Sequence, residues 1–342
     1  MSYNVDQKIK DIGQTISKYR VEAPSDEGLI DCIIGVPYSG DGSYGLAAAI
    51  RAVGVAAEVM TPSCDWKTYD YADRFVITQT CEPFRIQTGD ILAWLDKKSS
   101  EGIPQDKLAV FEPSAGGPCR LGQYADIIRY FLNEAGYEGV RMMSPSSSND
   151  YMDLQLPRSK ALKVLRLTLN AMYMVDILYN ALLRVRPYEK GEINHGKSDN
   201  ATLSPAEKIY QTAITEMCQQ IEKGGTGLSA IMRQAAREMD NLDFDHDKRY
   251  PIALISGEFF MRTHPGANHD IARVLEQEFN QPVETMLVPY MEWFHYVNQI
   301  KLIQAWHDRE WKNIFLGTLK KTFMAYKTAA FWRPFRDLLK GR

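Results

Sequence analysis

Five cysteines, Cys32, Cys64, Cys81, Cys119 and Cys218, are the residues of this chain best suited to chemistry. Their number is odd and their spacing wide, and Met1 to Arg20 is polar and lysine-bearing, without the apolar stretch of a secretory signal. That combination argues against a disulfide framework and for free, catalytic or metal-bound thiols in a cytoplasmic protein. Cys119 ends the turn Gly116-Gly117-Pro118-Cys119-Arg120, ahead of a helix. Two glycines let the backbone approach another group closely, and Pro118 fixes the turn. A cysteine at a helix N-terminus beside an arginine favours the thiolate that metals require. Cys81, in Thr80-Cys81-Glu82-Pro83-Phe84, takes the equivalent place one strand–helix unit earlier. Ligands collect at the carboxyl ends of parallel strands, which lie about 4.8 Å apart, so both turns can face one metal centre. The plainer alternative is that both are small residues in packed turns. Cys64, in Pro62-Ser63-Cys64-Asp65-Trp66, follows a strand and is a third candidate, with burial the competing reading; Cys32 and Cys218 read as core.

A second constellation competes with the cysteines. Gly40-Asp41-Gly42-Ser43-Tyr44-Gly45 is a literal G-x-G-x-x-G between a strand and a helix, with Asp65 at a plausible distance for a ribose contact. Against a dinucleotide site, Pro37-Tyr38-Ser39 lengthens the turn before the first glycine. His264 and His269 flank Pro265-Gly266-Ala267-Asn268; a metal pair is one reading, a loop with Asn268 as helix cap the favoured one.

These residues need a scaffold. Apolar runs at Leu29–Val36, Val55–Met60, Phe75–Thr78 and Leu108–Phe111 alternate with helical patterns, the clearest being Tyr124, Ile127, Ile128, Phe131, Leu132 and Ala135 stopped by Gly136. Such alternation builds a largely parallel sheet covered by helices. After the polar turn Ser144–Asn149 the strand signal disappears until Tyr250. Residues 156–185 form one long buried helix, and Ser204-Pro205-Ala206-Glu207 is a capping box. Strands return at Pro251–Ser256 and Val283–Val288, with a helix over Ala267–Phe279. The expected fold is α/β, with two Rossmann-like parallel-sheet domains, an all-helical block between them and a helical C-terminus. The boundaries are 1–27 for a polar leader, 28–150 for the first Rossmann-like domain, 151–248 for the helical block, 249–297 for the second Rossmann-like domain and 298–342 for the C-terminal helices. The 342 residues carry 45% apolar and 24% charged residues and a net charge of −3, which gives no electrostatic reason to expect nucleic acid. Ala161–Leu183 is interrupted by Lys163, Arg166, Asn170 and Asp176, so no transmembrane segment is expected. From Lys320 onward, aromatic residues interleave with lysines and arginines; docking on the core or a partner is favoured over a membrane-surface helix.

Several motifs together resemble one family. Cys81-Glu82-Pro83-Phe84 with Thr88-Gly89-Asp90, then Gly117-Pro118-Cys119-Arg120-Leu121-Gly122-Gln123-Tyr124, is similar to the paired motifs of the 2-hydroxyacyl-CoA dehydratase and double-cubane cluster superfamily. The likeness is strongest to the dehydratase-like portion of large CoA-substrate-specific enzyme activases. Arg186-Pro187-Tyr188-Glu189, Gly257-Glu258-Phe259-Phe260-Met261-Arg262, Pro265, Asn268, Leu275-Glu276 and Glu292-Trp293 extend it over Leu29 to Tyr296. The resemblance implies an iron–sulfur cluster of the 4Fe-4S kind held by Cys81 and Cys119, with Cys64 as a further candidate. It also implies low-potential electrons from an ATP-dependent activator protein, an acyl-CoA or other small-molecule substrate, oligomeric assembly, and anaerobic metabolism. The implied chemistry is a 2-hydroxyacyl-CoA dehydratase-like lyase or a double-cubane cluster reductase. The third family cysteine is absent: Pro289-Tyr290-Met291-Glu292-Trp293-Phe294-His295 stands in its place. Cys64, Glu292, His295, a partner's residue or water is left to complete the site. The alternatives are a cluster-free structural subunit of such an assembly and a dinucleotide-binding oxidoreductase using Gly40 to Gly45.

Overall fold

The computed structural model describes residues 31–61, 66–75, 80–115, 119–146, 151–189, 203–244, 249–277, 284–287 and 290–339. The expected leader, Cys64, and the Phe75–Thr78 strand beyond Phe75 therefore lie outside the described residues. The chain is a helix-rich α/β protein whose contacts divide it into two units. One holds the residues up to Tyr38 with Ala49–Leu165, the other Ser39–Ala48 with Arg166–Arg342.

The first unit is built on strands β1 (Ile33–Val36) and β2 (Ala56–Val59); helix α1 (Gly42–Arg51), between them in sequence, belongs mostly to the second unit. Helices α2 (Trp66–Asp73) and α3 (Glu82–Ser100) lead to β3 (Leu108–Phe111), and α4 (Tyr124–Glu134) to β4 (Arg141–Met143). The four strands are parallel in the order β2-β1-β3-β4, with Ile33 aligned to both Ala56 and Leu108. Chain direction reverses across the sheet between β1 and β3, so their carboxyl ends form the switch point where α/β sheets hold ligands. Right-handed crossovers place α2, α3 and α4 on one face. Their core joins Phe84, Ile91, Leu95 and Ile128 to Leu108 and Val110 of β3. Gly35 makes this packing feasible: a Cβ there would stand 2.6 Å from the Met60 side chain and 2.9 Å from the Trp94 indole. Between α2 and α3 the approach is closer still, since a Cβ on Gly89 would meet the Thr68 carbonyl at 2.1 Å. Two elements exceed the sequence expectation. The sequence pattern gives a helix over Gly89–Leu95, whereas the helix formed runs from Glu82 to Ser100, and β4 appears where the sequence carries no strand signal.

The second unit contains most of α5 (Arg158–Val185), then α6 (Pro205–Glu222) and α7 (Leu228–Asp240). The Ser204–Glu207 capping box forms as its sequence requires, both reciprocal bonds being present. Strands β5 (Ile252–Ile255) and β6 (Glu284–Leu287) pair in parallel, with the short helices α8 (Phe259–Thr263) and α9 (Ile271–Gln277) between them. The hairpin of α10 (Tyr290–His307) and α11 (Trp311–Trp332) follows, then a 3-10 turn at Arg333–Phe335 and a short helix over Arg336–Leu339. No helix among the described residues is long and apolar enough to cross a membrane.

Candidate functional site

Cys81 is the N-cap of α3, with extended backbone, a proline in the first helical turn and no side-chain capping bond. Its side chain packs, half-buried, against the apolar core of the first unit. The helix start is tethered by Arg85, which forks onto Asp73 at 2.7 and 2.6 Å and stacks 4.6 Å from the Tyr69 ring. Cys119 is likewise extended and uses no side-chain cap, but the element it precedes differs from expectation. One 3-10 turn, Arg120–Gln123, separates it from α4, whose own N-cap is Gln123. Gly122 folds this turn against the preceding loop: a Cβ there would lie 2.5 Å from the Ala115 carbonyl oxygen. Cys119 is exposed and Cys81 half-buried.

The two turns converge. Phe84, three residues after Cys81, meets Tyr124, five after Cys119, with ring centroids 5.0 Å apart, edge to face. Phe131 also lies 6.1 Å from Phe84. The first turns of α3 and α4 thus sit side by side at the carboxyl edge of the sheet.

Behind them lies a carboxyl group that the sequence reading missed. Glu112 follows β3 and extends its ladder, its N–H donating to the Met143 carbonyl at 2.9 Å and that of Ser114 to Pro145 at 2.8 Å. Strand alternation puts its side chain on the face of Leu108 and Val110, toward α3 and α4. It is fully buried, and neither carboxyl oxygen has a hydrogen-bond partner among the described residues. Desolvation pushes its pKa up to about 8, so the group is a neutral acid at neutral pH. Gln87 lies on the stripe of α3 that carries Phe84 and Ile91, and its Oε1 is also buried without a partner. Trp94 lies over Gly35, which pairs with Val110, and this fixes the height of α3 on the sheet. The only sequence signal for Glu112 is a charged residue closing the apolar run Leu108–Phe111.

The donor set fits a cluster in part. Two uncommitted thiols on adjacent turns are suitable thiolate ligands. Among the described residues, however, no group of three His, Cys, Asp or Glu side chains is gathered as a metal site. His295 belongs to the second unit, where Tyr173 and Thr328 each lie 3.4 Å from its Nε2. Cys32 is buried, and desolvation raises its pKa; its thiol contacts the Asp106 carbonyl at 3.5 Å. Cys218 sits half-buried in α6.

In the second unit, the glycine turn is occupied by the protein's own contacts. Gly40 is left-handed, at φ +113°, and a Cβ there would press on Thr263, whose hydroxyl donates to the Ser39 carbonyl at 2.7 Å. Asp41, at the start of α1, accepts from the Tyr210 hydroxyl at 2.5 Å. A Cβ on Gly45 would come within 2.2 Å of the Ala171 Cβ, so this glycine serves the α1–α5 contact. His264 is buried, with Nδ1 accepting from the Ala267 N–H at 3.3 Å, and Asn268 caps the next helix through Ile271. Comparison with protein-family models, with curated proteins and with solved structures finds no match for this chain.

Proposed function

We propose that this chain is a cytoplasmic, oligomeric iron–sulfur protein, related to 2-hydroxyacyl-CoA dehydratase subunits, that carries its cluster on Cys81 and Cys119. The observation that carries this reading is the convergence of two uncapped cysteine turns through Phe84 and Tyr124. A bound cluster would supply one-electron chemistry, charged by an ATP-dependent activator. The chain's own residues do the rest. Cys81 and Cys119 hold the group, the apolar contact between α3 and α4 sets their spacing, and Glu112 retains a proton behind them. Reductive or dehydratase-type turnover of an acyl-CoA or similar small molecule is the function proposed for the assembly. The parallel β5–β6 pair with its intervening helices is read as the core of a second Rossmann-like domain.

The second reading, a cluster-free subunit, is favoured by the two-thiol donor set among the described residues. The dinucleotide reading is weakened by Asp41, whose carboxylate stands at the helix start where a pyrophosphate would sit. Iron and acid-labile sulfide are to be counted after anaerobic reconstitution, beside circular dichroism. Cys81→Ser and Cys119→Ser should each lose most of the iron and visible absorption while remaining folded, and Cys218→Ser should keep both. Folded wild-type protein without iron would establish the cluster-free reading instead.

A further inference from the structure

We propose that the α10–α11 hairpin is a docking surface for an anionic lipid membrane, a role beyond the cysteine site and independent of it. Ten of the sixteen large apolar side chains exposed among the described residues lie between Tyr296 and Tyr326. On α11, Phe315, Leu319, Phe323 and Tyr326 recur at helical spacing and are 70, 60, 53 and 70% exposed. On α10, Ile303 is 69% exposed. The last turn of α10 and the first residue of α11 carry Trp306 and Trp311, each 66% exposed, with rings 5.8 Å apart. Tryptophan at such a tip suits the water–lipid boundary, where one part of the indole is buried and its N–H stays hydrated.

Apart from the Trp306–Trp311 ring contact at the tip, the two helices meet on another side of α11. Gly317 admits Leu302, whose Cδ2 would lie 2.6 Å from a Cβ at that position, and Asn298 donates to the Gly317 carbonyl at 3.5 Å. Met324 and Phe331 occupy the buried side of α11. The apolar stripe is therefore a second face, left over after the fold is made.

Charge selects the occupant. From Trp311 to Arg336 the chain has no acidic residue and six basic ones, Lys312, Lys320, Lys321, Lys327, Arg333 and Arg336, in a protein of net charge −3. The Lys327 ammonium stands 5.7 Å from the Phe323 ring, so its stem lies along the stripe while its charge reaches outward. A second copy of the chain would set this basic face against itself. An anionic lipid surface neutralises the lysines and receives the aromatic side chains. Asp308 and Glu310 lie in the turn, where Asp308 stands 3.0 Å from His307 and Glu310 accepts from Asn313 at 2.6 Å. Since no described helix can span a membrane, the hairpin lies on the surface.

The test is cosedimentation of the full chain with vesicles of phosphatidylcholine, with and without about 30% phosphatidylglycerol, read together with tryptophan emission. Binding should be at least about tenfold tighter to the anionic vesicles and should fall away in about 0.5 M salt. K320E/K321E should weaken it about tenfold or more, and F315S/L319S/F323S should abolish it with unchanged circular dichroism. Binding that ignores phosphatidylglycerol, or no binding by folded wild-type protein, overturns the proposal. A dimer without lipid binding, dispersed by the serine variant, assigns the face to a second copy. Cys81→Ser and Cys119→Ser should leave vesicle binding unchanged, which separates this surface from the cluster reading.

Discussion

The Arg186 guanidinium donates to both carboxylate oxygens of Glu276, at 2.7 and 2.8 Å, across 90 residues of sequence. Both side chains are buried, and Arg186 also reaches Glu207 at 3.0 Å, the residue that closes the α6 capping box. Arg273 completes the group by bonding to Glu207 and to Asp270. Two distant stretches, Arg186–Glu189 and Leu275–Glu276, are thus joined by an ion-pair network that locks α6 and α9 to the end of α5.

Breaking that network from one side should cost far more than removing the pair. Arg186→Met leaves the buried Glu276 carboxylate without its guanidinium, while Glu207 keeps Arg273, so a loss of about 3–5 kcal/mol is expected in urea unfolding. Glu276→Gln should act in the same direction. The double variant R186M/E276M should be less damaged than R186M alone. A double variant as unstable as the sum of the two would show that the pair contributes no coupling.

Glu112 should make the protein less stable as pH rises. Its carboxyl titrates near pH 8 when folded and near about 4.3 when unfolded. Between those values the native state holds the proton that the unfolded chain has lost, so stability declines with a slope of up to about 1.4 kcal/mol per pH unit. Glu112→Gln keeps the shape without the ionisation and should remove this slope. Its advantage over wild type should therefore grow from pH 5 to pH 8, reaching about 3 kcal/mol or more. Urea midpoints at several pH values measure this, and the infrared band of a protonated carboxyl, absent in the variant, identifies the group. Parallel pH profiles of the two proteins would place the proton elsewhere.

His264 should act in the opposite range. Burial lowers its pKa to about 4, and its Nδ1 is already an acceptor for Ala267. Below about pH 6.5 the unfolded chain takes up a proton that the folded one refuses, so stability falls as pH drops toward 4, by about 3 kcal/mol in all. His264→Gln should flatten that acid limb. An imidazole resonance titrating near its ordinary value in the folded protein would contradict the assignment.

What the sequence determined by itself is the local architecture. Leu108–Phe111 is a strand because four consecutive apolar residues end at a proline-bearing loop, and α4 stops at Gly136 because the chain turns left-handed there, at φ +84°. Ser204 and Glu207 lie within one turn, so their reciprocal capping is readable without a fold. The helix after Cys119 was legible from its apolar spacing, but the 3-10 turn that separates it from Cys119 depends on Gly122 pressing against Ala115, a contact that no periodicity encodes. Strand β4, three residues long, gives too short a pattern to register and exists through its ladder with β3. Glu112 and Gln87 look like ordinary polar residues in the sequence, and only the closing of α3 and α4 over the sheet leaves their oxygens without partners. The hairpin shows the same division. Its aromatic and basic residues are plain in the sequence, but which of its faces stays exposed is decided by packing, because burial depends on neighbours far along the chain while helical spacing does not.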